Sequence, residues 1–431
     1  MDKIEAYVNH YHDGNNLWFV DEVGDSWQIQ RINRALDARD YLAGKHKIKL
    51  RQDEVYNGKR FETRKIVLNY TKSLLSFETA FLLKNPVTLI SNNLDALELY
   101  KKVYREGKYN QVDYKILSNM VKYGETYEYC YIDDNKRIKS TIFNAEDSYP
   151  IYDHTGEMVA FIYHYIFDGV AYYTIYTEDK VEEWTDRGGQ LHKVGEYKNL
   201  SGLPIPYILP SEDDELVGHP SFFEYIDILD NLEDLLSKAL DSYLKLNLSP
   251  IPVFKGTKLN TKDGGIDPNA VGYALEIAED ASFEFVGSKM DSQSFKTLWA
   301  TLKQSLLDIA MVPGVALNSQ EISNISTVSI QMLYSMAEIK GAMNSLYLKQ
   351  GFEKRWGTMK KLLRLLGHNV AEDAYIDCQF NMNIPKNANE IIDNLVKATG
   401  ANIISINRAV EVNPYTIDVN AELDRLNINN S

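Results

Sequence analysis

Residues 326–366 carry one sustained helical pattern. Leu333, Met336, Ile339, Met343, Leu346, Phe352, Trp356, Met359 and Leu363 follow one another mostly at three- and four-residue steps, the spacing that lines side chains along an α-helix. About forty residues make a helix of about 60 Å, against a usual globular length of about 10–14 residues. An apolar helix of this length exceeds what one compact subunit can cover. Gly341, Gly351 and Gly357 interrupt the pattern, so it predicts a kinked helix rather than a straight rod.

The remaining chain falls into regions of different texture. To about residue 110 it reads as helical. Arg64–Lys84, with Ile66, Val67, Tyr70, Leu74, Phe77 and Phe81 on one face, predicts a helix stopped by Asn85-Pro86. From about 121 to 210 the period shifts to two. Thr126–Ile132 and Val159–Ile166 are rich in aromatic and β-branched residues, with turn chemistry at 133–136, 154–156 and 167–169, which predicts an antiparallel meander. Ser221 and Glu224 have the spacing of a capping box. They open a helix with Phe223, Ile226, Leu229, Leu232, Leu236, Leu240 and Tyr243 on one face and Asp227, Asp230, Asp234 and Asp241 on the other. A second helix carries Phe295, Leu298, Leu302, Leu306 and Ile309. Two similar helices flanking a strand-and-turn insert, residues 253–290, predict an antiparallel pair with a tip. Pro313-Gly314 then breaks the chain into a polar, aperiodic stretch before the long helix.

Charge and chemistry exclude several functions. The chain has 46 basic and 61 acidic residues among 431, a net −15, which argues against an ordinary nucleic-acid binder with a basic surface. There is no phosphate loop, no dinucleotide fingerprint and no His-Glu-x-x-His zinc motif. The acidic run Asp133-Asp134-Asn135 lacks the glycine and distal glutamate of a calcium loop and reads as a hairpin turn. Adjacent acids such as Glu182-Glu183 and Asp213-Asp214 point apart on a strand and make a poor glycosidase pair. Cys130 and Cys378 are too few for a disulfide framework or zinc site. With no apolar core of a signal peptide in residues 1–6, the expectation is a chain made in a reducing compartment. No uncharged apolar run reaches the about 18 residues of a membrane span. Nothing calls for a cofactor, a metal or catalysis. Fifteen of the 29 tyrosines lie between Tyr100 and Tyr176. That crowding suits either half-buried strands or a carbohydrate-active enzyme or sugar-binding protein of mixed structure.

The order of elements resembles the portal proteins of tailed bacteriophages, of the SPP1 type. Ile66–Tyr70, Phe81–Val87, Tyr123–Glu128, Tyr149–Asp153, Gly202–Pro206, Ile384–Asn387, Ile404-Ser405 and Asp418–Leu426 carry the resemblance by their order and spacing. It implies an α+β portal fold. The wing would be 1–220, the first stem helix 221–247, a small α/β clip 248–290 and the second stem helix 291–311. A tunnel loop at 312–325 would lead into a long kinked helix and return strand at 326–384, then a short helical crown at 385–431.

The resemblance further implies a homo-oligomeric ring of about twelve copies around a channel. The ring would stand at a capsid vertex of the virion after assembly in the bacterial cytoplasm. Its partners would be double-stranded DNA, the terminase large subunit, the head-tail adaptor, and the major capsid and scaffold proteins, with no membrane. The tunnel loop would offer Asn318, Ser319, Gln320, Glu321, Ile322 and Asn324 to DNA, with no lysine or arginine to grip phosphate. Asp227, Asp230, Asp234 and Asp241 would line the channel as an acidic wall of low friction; the other reading is an outward solvated face. Lys255, Lys258 and Lys262 of the clip would meet an acidic partner, or simply keep the loop soluble.

Overall fold

The computed structural model describes residues 3–56, 59–244, 251–255, 282–286, 292–314, 327–385, 388–416 and 418–429. Up to residue 123 the elements are α1 (Lys3–Tyr11), α2 (Trp18–Val23), α3 (Ser26–Leu42), β1 (Glu54–Tyr56), β2 (Lys59–Phe61), α4 (Tyr70–Leu83), β3 (Thr88–Ser91), α5 (Leu94–Gly107) and α6 (Tyr109–Tyr123). Strands follow: β4 (Glu125–Ile132), β5 (Ile138–Asn144), β6 (Ser148–Tyr152), β7 (Met158–Phe167), β8 (Val170–Tyr176), β9 (Lys180–Thr185), β10 (His192–Lys198) and β11 (Ile205–Ile208). The remainder comprises α7 (Ile226–Ser242), β12 (Ile251–Lys255), β13 (Ser282–Val286), α8 (Ser292–Ile309), α9 (Thr327–Leu365), β14 (Ile376–Gln379), α10 (Ala388–Gly400), α11 (Ile406–Val412) and α12 (Val419–Asn429). Two compact units result. One holds Met1–Ala43, Thr71–Glu224 and Leu307–Ser431, the other Gly44–Tyr70 and Tyr225–Leu306.

The larger unit contains the expected meander. Strands β6 to β10 form one five-stranded sheet in sequential antiparallel order, and β11-β4-β5 form a second, three-stranded sheet. The acidic run at 133–135 is a hairpin turn: the Asp133 carboxylate accepts from the amides of Asn135 and Arg137 and from the Arg137 guanidinium. Asp168 and Gly169 both have positive φ, as the tight turn between β7 and β8 requires. Tyr127, Phe143, Phe161, Tyr176 and Val181 pack as one cluster, and Tyr149 joins Ile151, Val159, Ile162 and Phe19 in another. Many tyrosines of this region are therefore core. The return strand β14 pairs antiparallel with β3, Cys378 opposite Leu89.

Helix α9 runs 39 residues without a break through all three glycines. Two of them serve close packing. A Cβ at Gly351 would lie 2.1 Å from the Tyr207 ring, and one at Gly341 would lie 3.2–3.3 Å from Met382 and Phe81. Beyond Gly351 the inner face is filled by Phe352, Trp356, Met359, Leu362 and Leu363. Among them Arg355 is wholly buried. Its guanidinium donates to Glu128 at 2.8 Å and pairs with Asp113, over the rings of Phe352 and Tyr109. Glu128 also accepts from the Tyr207 hydroxyl at 2.6 Å, and Tyr104 accepts from the Trp356 indole at 3.0 Å. The cluster thus joins α9 to α6 and to the β11-β4-β5 sheet.

In the smaller unit, the segment expected to begin a helix at Arg64 is extended instead, and α4 starts only at Tyr70. Side chains of α7 capture this segment. Asp241 accepts from the Arg64 amide at 3.0 Å, the Ser237 hydroxyl from the Ile66 amide at 3.0 Å, and Glu233 from the Leu68 amide at 2.7 Å. The match is geometric: four helical residues rise about 6 Å and two extended residues about 6.6 Å, so donors two residues apart meet acceptors four residues apart on a helix running the opposite way. The capping box is also corrected. Residues Ser221–Glu224 form a 3-10 turn, α7 begins at Ile226, and the Ser221 hydroxyl donates to Glu78. Between α7 and α8, β12 pairs antiparallel with β13, Ile251 opposite Val286.

Candidate functional site

Helix α8 ends in the larger unit on a motif written in backbone bonds. Met311 has φ 54°, its amide donates to the Asp308 carbonyl at 3.2 Å, and the Val312 amide donates to the Leu307 carbonyl at 3.0 Å. These are the two bonds of a Schellman cap, completed by the buried side chains of Leu307 and Val312 and followed by Pro313, which cannot continue a helix. A left-handed residue other than glycine costs about 1 kcal/mol, so the turn is imposed by its surroundings. Those are Phe77, Glu78 and Phe81 of α4 and Ala337, Lys340 and Gly341 of α9.

Glu78 is the polar centre of this root. It accepts from the Ser221 hydroxyl at 2.9 Å and from the Asn344 side-chain amide at 2.7 Å, with the Lys340 ammonium 3.9 Å away. Burial holds its carboxyl above the usual carboxylate range, against the opposing pull of Lys340, Asn344 and Ser221. The end of α8 and the start of α9 thus belong to one unit. The loop residues Asn318, Ser319, Gln320, Glu321, Ile322 and Asn324 lie outside the described residues, as do Lys258 and Lys262; Lys255 ends β12.

The four acids of α7 do not form one equivalent row. Asp241 is buried and bridges Arg51 at 2.7 Å, while Lys47 reaches Asp227 at 3.2 Å and Asp230 at 3.0 Å. Among the described residues Asp234 pairs along its own helix, with Lys238. His46, Asp230 and Glu233 bring ligand atoms within 4.8 Å, the one metal-capable cluster among the described residues. There, however, Lys47 already supplies a cation to Asp230, and one Glu233 oxygen is shared between His46 and the Leu68 amide. Sequence reasoning missed the Glu78 node, the strap on α7 and the Arg355 cluster.

A family model described as "Phage portal protein, SPP1 Gp6-like" matches residues 26–429. The chain belongs to that portal family. It is 20% identical over 380 residues to the portal protein of Bacillus phage SPP1, covering 82% of this chain and 74% of that protein. Among solved structures it is similar to a chain from the virion of a native gene transfer agent particle (TM-score 0.44, 11% identity, 78% of this chain and 87% of that one). It is also similar to one from the neck of the native particle with C12 symmetry (TM-score 0.44, 12% identity, 79% and 89%). The carbohydrate reading of the tyrosines gains no support: the family is a structural one, and the rings that suggested a sugar platform pack on each other in this portal protein's core.

Proposed function

We propose that this portal protein assembles as a ring of about twelve copies whose channel carries double-stranded DNA during packaging and ejection. The observation that carries the reading is the family match over 26–429, supported by the packing of Ala310–Val312 against α4 and α9. In this reading the tunnel loop expected at 312–325 projects toward the axis beyond its buried start at Val312, and cyclic symmetry turns one loop per subunit into a collar. With Glu321 its only charged residue, the collar touches DNA through hydrogen bonds and shape, contacts that break easily as the duplex slides. Asp227 and Asp234 remain as channel-lining acids, since Asp241 is buried and Asp230 mostly so. Each has a lysine beside it, so such a wall is close to neutral and avoids the salt-dependent grip of a basic one. The ring sits at a capsid vertex and is assembled in the host cytoplasm, where the clip end is offered to the terminase and later to the head-tail adaptor.

Both native cysteines are buried, their thiols pushed up to about 12 by burial, so a cysteine introduced by Asn318→Cys is the reactive one. Oxidation is expected to link neighbouring loops within rings. Linked rings should package little DNA in a terminase-driven assay, and reduction should restore packaging. Loops that link readily while packaging runs at the normal rate would contradict the collar.

A further inference from the structure

Helix α9 is apolar on two opposite sides along its first half. At about 100° per residue, Ile330, Ala337, Gly341, Asn344 and Leu348 fall on one side, and all five are buried within the larger unit. Val328, Met332, Met336, Ile339, Met343 and Leu346 fall within an arc of about 80° on the other side, and these six are 47–72% exposed. No charged side chain enters that arc up to Leu346. From there the same arc continues as Gln350, Lys354, Gly357, Lys361 and Arg364, all exposed and mostly charged. One helix therefore carries its own control: solvent chemistry on the C-terminal half of the arc, core chemistry on the N-terminal half. A helix apolar on opposite sides is built to be buried on both.

We propose that this stripe is a subunit–subunit contact of the ring, covered by a second copy of the chain; the inference rests on the ring reading above. Six half-exposed side chains present on the order of 500 Å², at the upper end of the largest apolar patch of an ordinary monomer. That is the apolar centre of an interface of about 800 Å² per partner. The stripe spans 19 residues from Val328 to Leu346, about 27 Å of helix. A second copy suits it for two reasons. Chains of net charge −15 repel each other, so copies must meet where charge is absent, and the stripe is such a place. Three of its six residues are methionines, which conform to a neighbour's surface without demanding one rigid fit. A ring needs two unlike patches per copy, and the stripe is one of them.

Two measurements on the full-length chain test this. The double variant Met336→Asp/Met343→Asp should assemble at least about tenfold more weakly by mass photometry. Gln350→Asp/Lys354→Asp, on the polar half of the same arc, should form rings like the parent. In separate chains, cysteines introduced by Ile339→Cys and Leu365→Cys probe cover directly, since the two positions are 51% and 56% exposed in the single chain. Within purified rings the first should react with maleimide at least about tenfold more slowly than the second. Equal rates in intact rings overturn the stripe and leave the ring reading standing, as do rings that survive the aspartates. Protection that appears only after adding scaffold or capsid protein also overturns it, by assigning the stripe to them. A parent chain that makes no rings overturns both readings. If the aspartate variant fails to fold, the cysteine rates decide.

Discussion

Replacing Arg355 with methionine is expected to cost the larger unit about 3–5 kcal/mol, the usual penalty for removing one partner of a buried ion pair. Two carboxylates, Glu128 and Asp113, would be stranded in a site where all three side chains have almost no exposure. The pH dependence distinguishes this from simple loss of packing. Burial pushes the Asp113 carboxyl up to about 6, against the pull of Arg355. A carboxyl raised above its unfolded value binds its proton more tightly when folded, so its ionisation lowers stability as pH rises between about 4 and 6. Without Arg355 the carboxyl rises further and that window extends upward. The methionine variant should therefore lie furthest below the parent at pH 7.5 and recover part of the difference at pH 5. Urea unfolding at the two pH values measures it; an equal deficit at both would mean that the stranded carboxylates are not its cause.

The strap on α7 should be nearly as sensitive. Asp241→Ala removes the acceptor of the Arg64 amide and the partner of Arg51, an expected loss of about 2–3 kcal/mol for bonds to a charged group. Asp227→Ala, on the same helix but paired with exposed Lys47, should cost under about 1 kcal/mol. Hydrogen exchange gives the local reading. With Ser237→Ala and Asp241→Ala combined, the amides of Ile66 and Arg64 should lose protection while Leu68, still held by Glu233, keeps it. Uniform loss across 64–68 would mean that the segment is held as a block and not bond by bond.

Local chemistry was legible in the sequence; long-range polar capture was not. The meander and its turns follow from period-two aromatic runs and residues that tolerate positive φ, and the structure has both. The long helix follows from its apolar spacing. The error at Arg64 has a clear cause, because Ile66 and Val67 suit a helix as well as an extended segment, and the deciding acceptors lie 165–177 residues away. Ser221 looked like a cap because its own neighbours supplied a glutamate at the right spacing, yet its hydroxyl turns to Glu78, 143 residues distant. Arg355 reads as one more surface charge until Asp113 and Glu128 are placed beside it. One signal was available and went unused. The six-residue step from Leu346 to Phe352 turns about 240° around the helix, marking where the apolar pattern changes face. The residues proposed to meet DNA, and Lys258 and Lys262, are legible only as sequence, since they fall outside the described residues.

The central claim is assembly, and single-particle electron microscopy of the purified full-length chain tests it most directly. Closed rings of about twelve subunits with an open axial channel are expected, with the N-terminal half of α9 buried between neighbours. A chain that stays monomeric at micromolar concentration, or stacks into open filaments without a channel, would contradict the account.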